Sequence, residues 1–335
     1  MPAVRPSVLV DALLDAIRRS GGVGAYLSST ERTHPRVFGI EYSGRSSSLW
    51  VYIWTLTHGG RPTLPDEYRI QITSVPSPLV LNPRGYTVLM GYYHDLGMFA
   101  GFDIQQHRTF TAGSPSVQIS VQTLHAGLQN GLAFGRKDND EITAAARPDQ
   151  FLNYVLNART FHRYGADATT LQLLEQAAET GEVEEQSLVG LSVERRTIVA
   201  QVTRYAREAS FRQQVLDAYQ HRCAVTRAQL RLVEAAHILP VPVPGSTEHV
   251  TNGIALSPTM HRAYDIGLIY LDETYVMRLN QTRAQQLVSD NLHSGLTEMQ
   301  ALLELRVHLP ADRQQWPGAQ FIRSGNQHRR IPGYY

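Results

Sequence analysis

Five of the side chains between positions 234 and 265 stand out as types that move protons or bind cations in a patterned run: Glu234, His237, Asn252, His261 and Asp265. An imidazole is close to neutral at pH 7, so it can take a proton from water or offer a lone pair to a metal ion. Carboxylates suit hard divalent cations. His237 ends a strand in the run Val233-Glu234-Ala235-Ala236-His237-Ile238-Leu239-Pro240. Along that strand Glu234 and Ala236 face one side and His237 the other. Asn252 sits in a returning loop, Thr251-Asn252-Gly253-Ile254. His261 and Asp265 are four residues apart in a helical run, so they project from one face. Asp265 lies near that helix's C-terminus, where the dipole disfavours a negative charge. A residue placed against its local preference points to another role, as a second metal ligand or as an anchor for His261. Glu234 is a further candidate ligand.

The elements that must position these residues run from Phe211 to Asn280. A helix is predicted over Phe211–Arg222. Two short strands, Cys223–Val225 and Leu232–His237, are predicted about a turn at Thr226–Gln229. A long turn-rich loop follows from Pro240 to Thr251. Ser257-Pro258 reads as an N-cap with proline at the first helical position. The short helix runs to about Ile266, Gly267 stops it, and a terminal hairpin closes the segment.

This order resembles the HNH endonuclease family, built on the ββα-metal fold. The wording is similar to one restriction-enzyme-like branch: a helix ending Arg222-Cys223-Ala224-Val225-Thr226, then Glu-Ala-Ala-His-Ile-x-Pro, then Asn-Gly, then His-x-x-Tyr-Asp-x-Gly. The resemblance covers roughly residues 205–285. It implies that His237 is the general base, that Asn252 orients that part of the site, and that His261 binds a divalent metal. Mg²⁺ is the first expectation, with Mn²⁺ or another transition metal as alternatives. With Asp265 and Glu234, His261 completes the expected metal set. The sequence departs from the family in two places. Ala236 stands where many relatives carry an acid or histidine ligand, and Arg227 stands where glycine is common in the turn.

Ahead of this segment the rhythm is different. Ser7–Ser20 reads as an amphipathic helix with Val10, Leu13, Leu14 and Ile17 on one face, Ser7 as cap and Gly21-Gly22 as stop. Ser48–Thr57, Tyr68–Thr73, Tyr86–Tyr93, Met98–Ile104 and Ser116–Val121 read as strands of an antiparallel or mixed sheet. Pro148–Asn157 and Thr169–Ala178 read as helices. The acidic stretch Glu179–Gln186 reads as a linker and the domain boundary. Helix resumes at Val193–Ala209, and Ser210 with Gln213 forms a capping-box pattern for a fresh helix. The expected fold class is α+β: an N-terminal α/β recognition-type domain with a mixed or antiparallel sheet, plus a C-terminal ββα-metal HNH domain. The expected divisions are residues 1–165 for DNA recognition, 166–200 for a helical linker and 201–300 for the endonuclease. Residues 301–335 form a tail packed on the nuclease domain or on DNA. The stretches Gly101–His107 and Ser114–Gln122 are similar to N-terminal regions of restriction-type proteins.

Composition sets outer bounds. Lys plus Arg is 31 against 30 for Asp plus Glu, which excludes a uniformly basic coat but not a local basic surface. One cysteine among 335 residues excludes an internal disulfide and a cysteine-based zinc cluster; Cys223 itself reads as core packing. No targeting segment and no membrane span is read, so a cytoplasmic protein is expected. His94-Asp95, Asp103 and Glu141 suggest a second nuclease centre but lack a matching lysine. The expected function is a metal-dependent restriction endonuclease that cuts double-stranded DNA as a homodimer. Its N-terminal domain would read a specific sequence or a modified base. The alternative is a degenerate HNH protein that binds DNA without cutting.

Overall fold

Helix α1, Pro6–Arg19, begins without a side-chain cap. Arg5 holds the N-cap position and Pro6 follows, needing no partner for a missing N–H. Ser7, expected as the cap, lies inside the helix. Leu9, Val10, Leu13, Ala16 and Ile17 recur at helical spacing and are buried, so α1 is held by its apolar face.

The computed structural model describes residues 3–42, 44–59, 66–111, 113, 115–165, 167–230 and 232–334. Ser114, in one of the restriction-like stretches, lies outside the described residues, as does Tyr335 of the tail. The chain divides into two units, Met1–Ala206 and Arg207–Tyr335.

In the first unit, α1 leads into β1 (Val23–Tyr26), β2 (Arg36–Tyr42), β3 (Arg45–Thr55), β4 (Thr57–His58), β5 (Glu67–Gln71), β6 (Tyr86–Tyr93), β7 (Met98–Phe102) and β8 (Ser116–Ser120). Then come α2 (Val121–Asn130), β9 (Leu132–Arg136), β10 (Ile142–Ala146), α3 (Phe151–Tyr164), α4 (Ala168–Thr180) and α5 (Val193–Ala218). The main sheet is mixed, in the order β1-β2-β3-β6-β7-β10-β9, with the β3–β6 pair parallel and the others antiparallel. A smaller sheet has the order β4-β5-β8. Strand alternation sorts the core. Leu49, Val51 and Ile53 of β3 and Val88 and Met90 of β6 pack with α1, α3 and α4. Their neighbours Tyr52 and Leu89 point the other way, into a cluster with Ile70, Val117 and Ile119 of the small sheet and Leu124 of α2. A sheet covered on both faces reads as long apolar runs rather than clean alternation.

The expected linker belongs to this core. Leu171, Leu173, Leu174, Ala177 and Ala178 of α4 are buried in it, with Ile198, Val199 and Val202 of α5. The acidic stretch is a loop, but the division between units falls later, within α5. That helix continues through Ser210, whose Oγ accepts from the Gln214 side chain, one turn ahead, instead of starting a new helix.

The second unit contains β11 (Glu234–His237), β12 (Gly253–Leu256), α6 (Pro258–Asp265), β13 (Ile269–Leu271), β14 (Met277–Leu279), α7 (Gln281–Ser289), α8 (Leu296–Gln300) and α9 (Ala319–His328). The expected strand at Cys223–Val225 is not formed. Cys223 N–H donates to Ala228 O, and Arg227 N–H donates back to Cys223 O. With Arg227 at φ +61, the chain reverses within five residues, too few for a ladder. The partner of β11 is β12, antiparallel, with Glu234 opposite Leu256 and His237 opposite Gly253. The ββα arrangement therefore spans the long loop. The fold class is thus a mixed α/β unit with a large sheet, followed by a C-terminal unit built on a ββα arrangement.

Because Leu13 is fully buried, Leu13→Ala is expected to destabilise the first unit by about 2–5 kcal/mol. Urea unfolding followed by circular dichroism measures it, with the midpoint moving down at unchanged slope.

Candidate functional site

His237 closes β11 and is held by two groups. Its ring stacks on Phe211 of α5, with centroids 3.9 Å apart and planes 12° from parallel. Its Nε2 lies 2.9 Å from Glu248 Oε2. A carboxylate accepts, so Nε2–H donates and the neutral ring keeps its lone pair on Nδ1. The side chain is 20% exposed, enough to meet water.

His261, in the first half of α6, is held in the opposite sense. Its Nδ1–H donates to Glu234 Oε2 at 2.7 Å. The hydrogen bond from His261 holds the Glu234 carboxyl below its ordinary value, against a smaller opposing push from burial. The neutral ring then carries its lone pair on Nε2, which faces Asp265 Oδ2 at 3.5 Å. Two electron-pair donors facing each other suit a cation between them. Imidazole plus carboxylate is also a donor set that accepts Mg²⁺, Mn²⁺ or Zn²⁺. Among the described residues, no group of three or more His, Cys, Asp or Glu side chains converges as a complete metal cage.

Ala236, in the expected ligand position, is a buried methyl in the core. Glu234, two residues earlier on the same face, reaches α6 instead. It meets the imidazole of His261 on the nitrogen away from Asp265. Glu234 is thus placed behind His261 and not beside it.

Asn252 is fully buried, and its polar atoms are committed to the loop that joins β11 to β12. Its Oδ1 accepts from Leu239 N–H at 2.8 Å. Its Nδ2 donates to Leu239 O and Thr247 O and lies 3.2 Å from Ser246 Oγ. Its backbone carbonyl accepts from Ile238 N–H. Asn252 staples the two ends of the loop, immediately after His237.

Sequence reasoning does not single out Phe211, Glu248 or Arg329. Glu248 carried a weak signal, as an acid in a loop four residues ahead of Asn252. Arg329 belongs to the tail expected to pack on the nuclease domain or on DNA. Its guanidinium is buried and bonded to backbone carbonyls of the second unit. The other centre considered, around Glu141, is a closed cluster. Burial pushes the Glu141 carboxyl up, but hydrogen bonds from His107 and Lys137 outweigh it and bring the group to about 2. Cys223 is buried in the core.

Residues 223–272 match the family model described as HNH endonuclease, and residues 47–155 match the model described as Methylase-associated X1. Among solved structures the chain is similar to one described as "Modification dependent TagI restriction endonuclease". The identity is 12%, covering 85% of this chain and 84% of that one, with a TM-score of 0.31. No curated protein matches. No helix among the described residues is long and apolar enough to cross a membrane.

The lowered Glu234 carboxyl has a consequence for acid stability. A depressed folded-state value means the stabilisation is complete above the ordinary value of 4.5 and is lost as pH falls through the folded one. Glu234→Gln is therefore expected to lose less stability than the wild type as pH falls below 4.5. Urea midpoints of both proteins across that range test it. Parallel curves would remove the pairing from the account.

Proposed function

We propose that this chain is a divalent-metal-dependent DNA endonuclease of restriction type, in which the first unit reads DNA and the second cuts it. One observation carries the reading. Within the segment that matches the HNH endonuclease model, His237 points its Nε2–H at the Glu248 carboxylate and keeps its Nδ1 lone pair free of any hydrogen bond among the described residues.

In this reading His237 Nδ1 takes a proton from water as the water oxygen bonds to phosphorus and the bond to the 3′ oxygen breaks, the 3′ alkoxide taking a proton from solvent to leave as a hydroxyl. Glu248 stabilises the imidazolium that forms, and Phe211 fixes the plane of the ring. His261 Nε2 and Asp265 would hold the cation, Mg²⁺ first and Mn²⁺ or another transition metal as alternatives. Glu234 orients His261 from behind, as carboxylates do for metal-bound histidines. When bound, a divalent cation supplies Lewis-acid neutralisation of the phosphate oxygens. Asn252 acts as a positioning residue through the loop it staples.

The substrate is double-stranded DNA. A single site cuts one strand, so a homodimer accounts for double-strand cleavage. The match of residues 47–155 to a methylase-associated family supports a restriction–modification setting.

The test is plasmid cleavage with Mg²⁺ or Mn²⁺, with and without EDTA, on unmodified, 5-methylcytosine and 5-hydroxymethylcytosine DNA. Discrete fragments are expected with one of these substrates and a divalent ion. His237→Ala is expected to lower the rate by at least about a hundredfold while retaining DNA binding. Binding without cleavage on every substrate would overturn the endonuclease and leave a DNA-binding protein.

A further inference from the structure

Arg329 lies well past the segment that matches the HNH model, yet it touches the site from behind. Its side chain is 3% exposed. Nη1 donates to Ile238 O at 2.6 Å and Nη2 to His237 O at 3.2 Å. Nη1 also reaches Gly325 O, one turn earlier on α9. The guanidinium lies over the ring of Tyr264, 4.3 Å from its centroid. Its Nη2 is 4.0 Å from Asp265 Oδ1. One planar fork therefore spans the end of β11, which carries His237, and the end of α6, which carries Asp265.

Two further features keep the fork there. Gly325 packs α9 so closely on β11 that a Cβ would collide with Ile238 O. Asn326, buried, donates its Nδ2 to Leu271 O at 2.8 Å. The guanidinium bears a cost as well. Its Nε has no hydrogen-bond partner among the described residues, and the nearest carboxylate is Asp265. For core packing alone, an apolar side chain of similar size avoids both penalties.

We propose that Arg329 is a positioning residue of the nuclease site. It fixes the separation between the proton-accepting histidine and the Asp265 carboxylate, so that the C-terminal helix completes a centre whose other parts lie within residues 211–265. The inference rests on the roles proposed above for His237 and Asp265. A lysine in its place keeps the charge but has no rigid fork to hold two carbonyls at once.

The test uses the full chain. Arg329→Met and Arg329→Lys are compared with wild type, with His237→Ala, and with Arg323→Ala, an exposed change on the same helix that breaks a surface pair with Glu273. Both Arg329 variants are expected to lower kcat for plasmid cleavage about tenfold or more, with KM for DNA within about twofold. Arg323→Ala is expected to match wild type. Side-chain ¹⁵N–¹H spectra are expected to show the His237 and His261 rings displaced in the Arg329 variants alone. Cleavage within about twofold of wild type in either folded variant, a loss confined to KM, or superimposable histidine spectra would overturn the inference. If Arg329→Met fails to fold, Arg329→Lys decides. If wild type and His237→Ala are equally inactive, the nuclease reading fails, and the histidine spectra alone decide the role of Arg329.

Discussion

A neutral imidazole has two nitrogens and one proton, and everything in the C-terminal unit depends on where that proton sits. A carboxylate on one nitrogen forces the lone pair onto the other. Glu248 does this for His237 through Nε2, and Glu234 does it for His261 through Nδ1. The two rings are therefore biased toward opposite tautomers. One leaves an unbonded lone pair on Nδ1, and the other turns its lone pair toward a carboxylate. The same two side-chain types perform different jobs because the backbone presents different edges of the rings.

The backbone solves this with few regular elements. β11 and β12 are four residues each, and the chain between them is a long loop without a strand. Such a pair is weak by itself. Three supports compensate. Asn252 ties the loop ends together, Phe211 of α5 backs the ring of His237, and α9 with Arg329 braces the strand end against α6. Gly253, opposite His237, is part of the same economy, since a Cβ there would collide with Val215 of α5.

Much of this was legible in sequence because it follows local rules. Ser257-Pro258 and Gly267 bound α6 as expected, and Tyr86–Tyr93 is a strand over the anticipated residues. The Glu-Ala-Ala-His run and the Asn-Gly step pointed to the right segment. What escaped depends on one local turn and, for the rest, on packing between segments distant in sequence. The strand at Cys223–Val225 fails because hydrogen bonds with Ala228 close a tight turn. α4 looked like a linker helix because its partners in the core are far away in sequence. Glu248 and Arg329 were illegible as site residues for the same reason. Nothing near them in sequence reveals that one meets His237 across eleven residues and the other across ninety-two. Ala236 was legible as a departure, but that Glu234, on the same face of β11, reaches the Nδ1 of His261 on α6 was not.

The stapled loop also separates two properties that an enzyme usually has to trade. Leu239 and Asn252 are locked to each other, so the span between them is closed at its neck like a drawstring bag. Gly245, inside that span, has open space around it. Chain added there lengthens the bag without moving its neck. This surface can therefore diversify in length and chemistry while His237 beside it keeps its aim, so reach and orientation can change independently of each other.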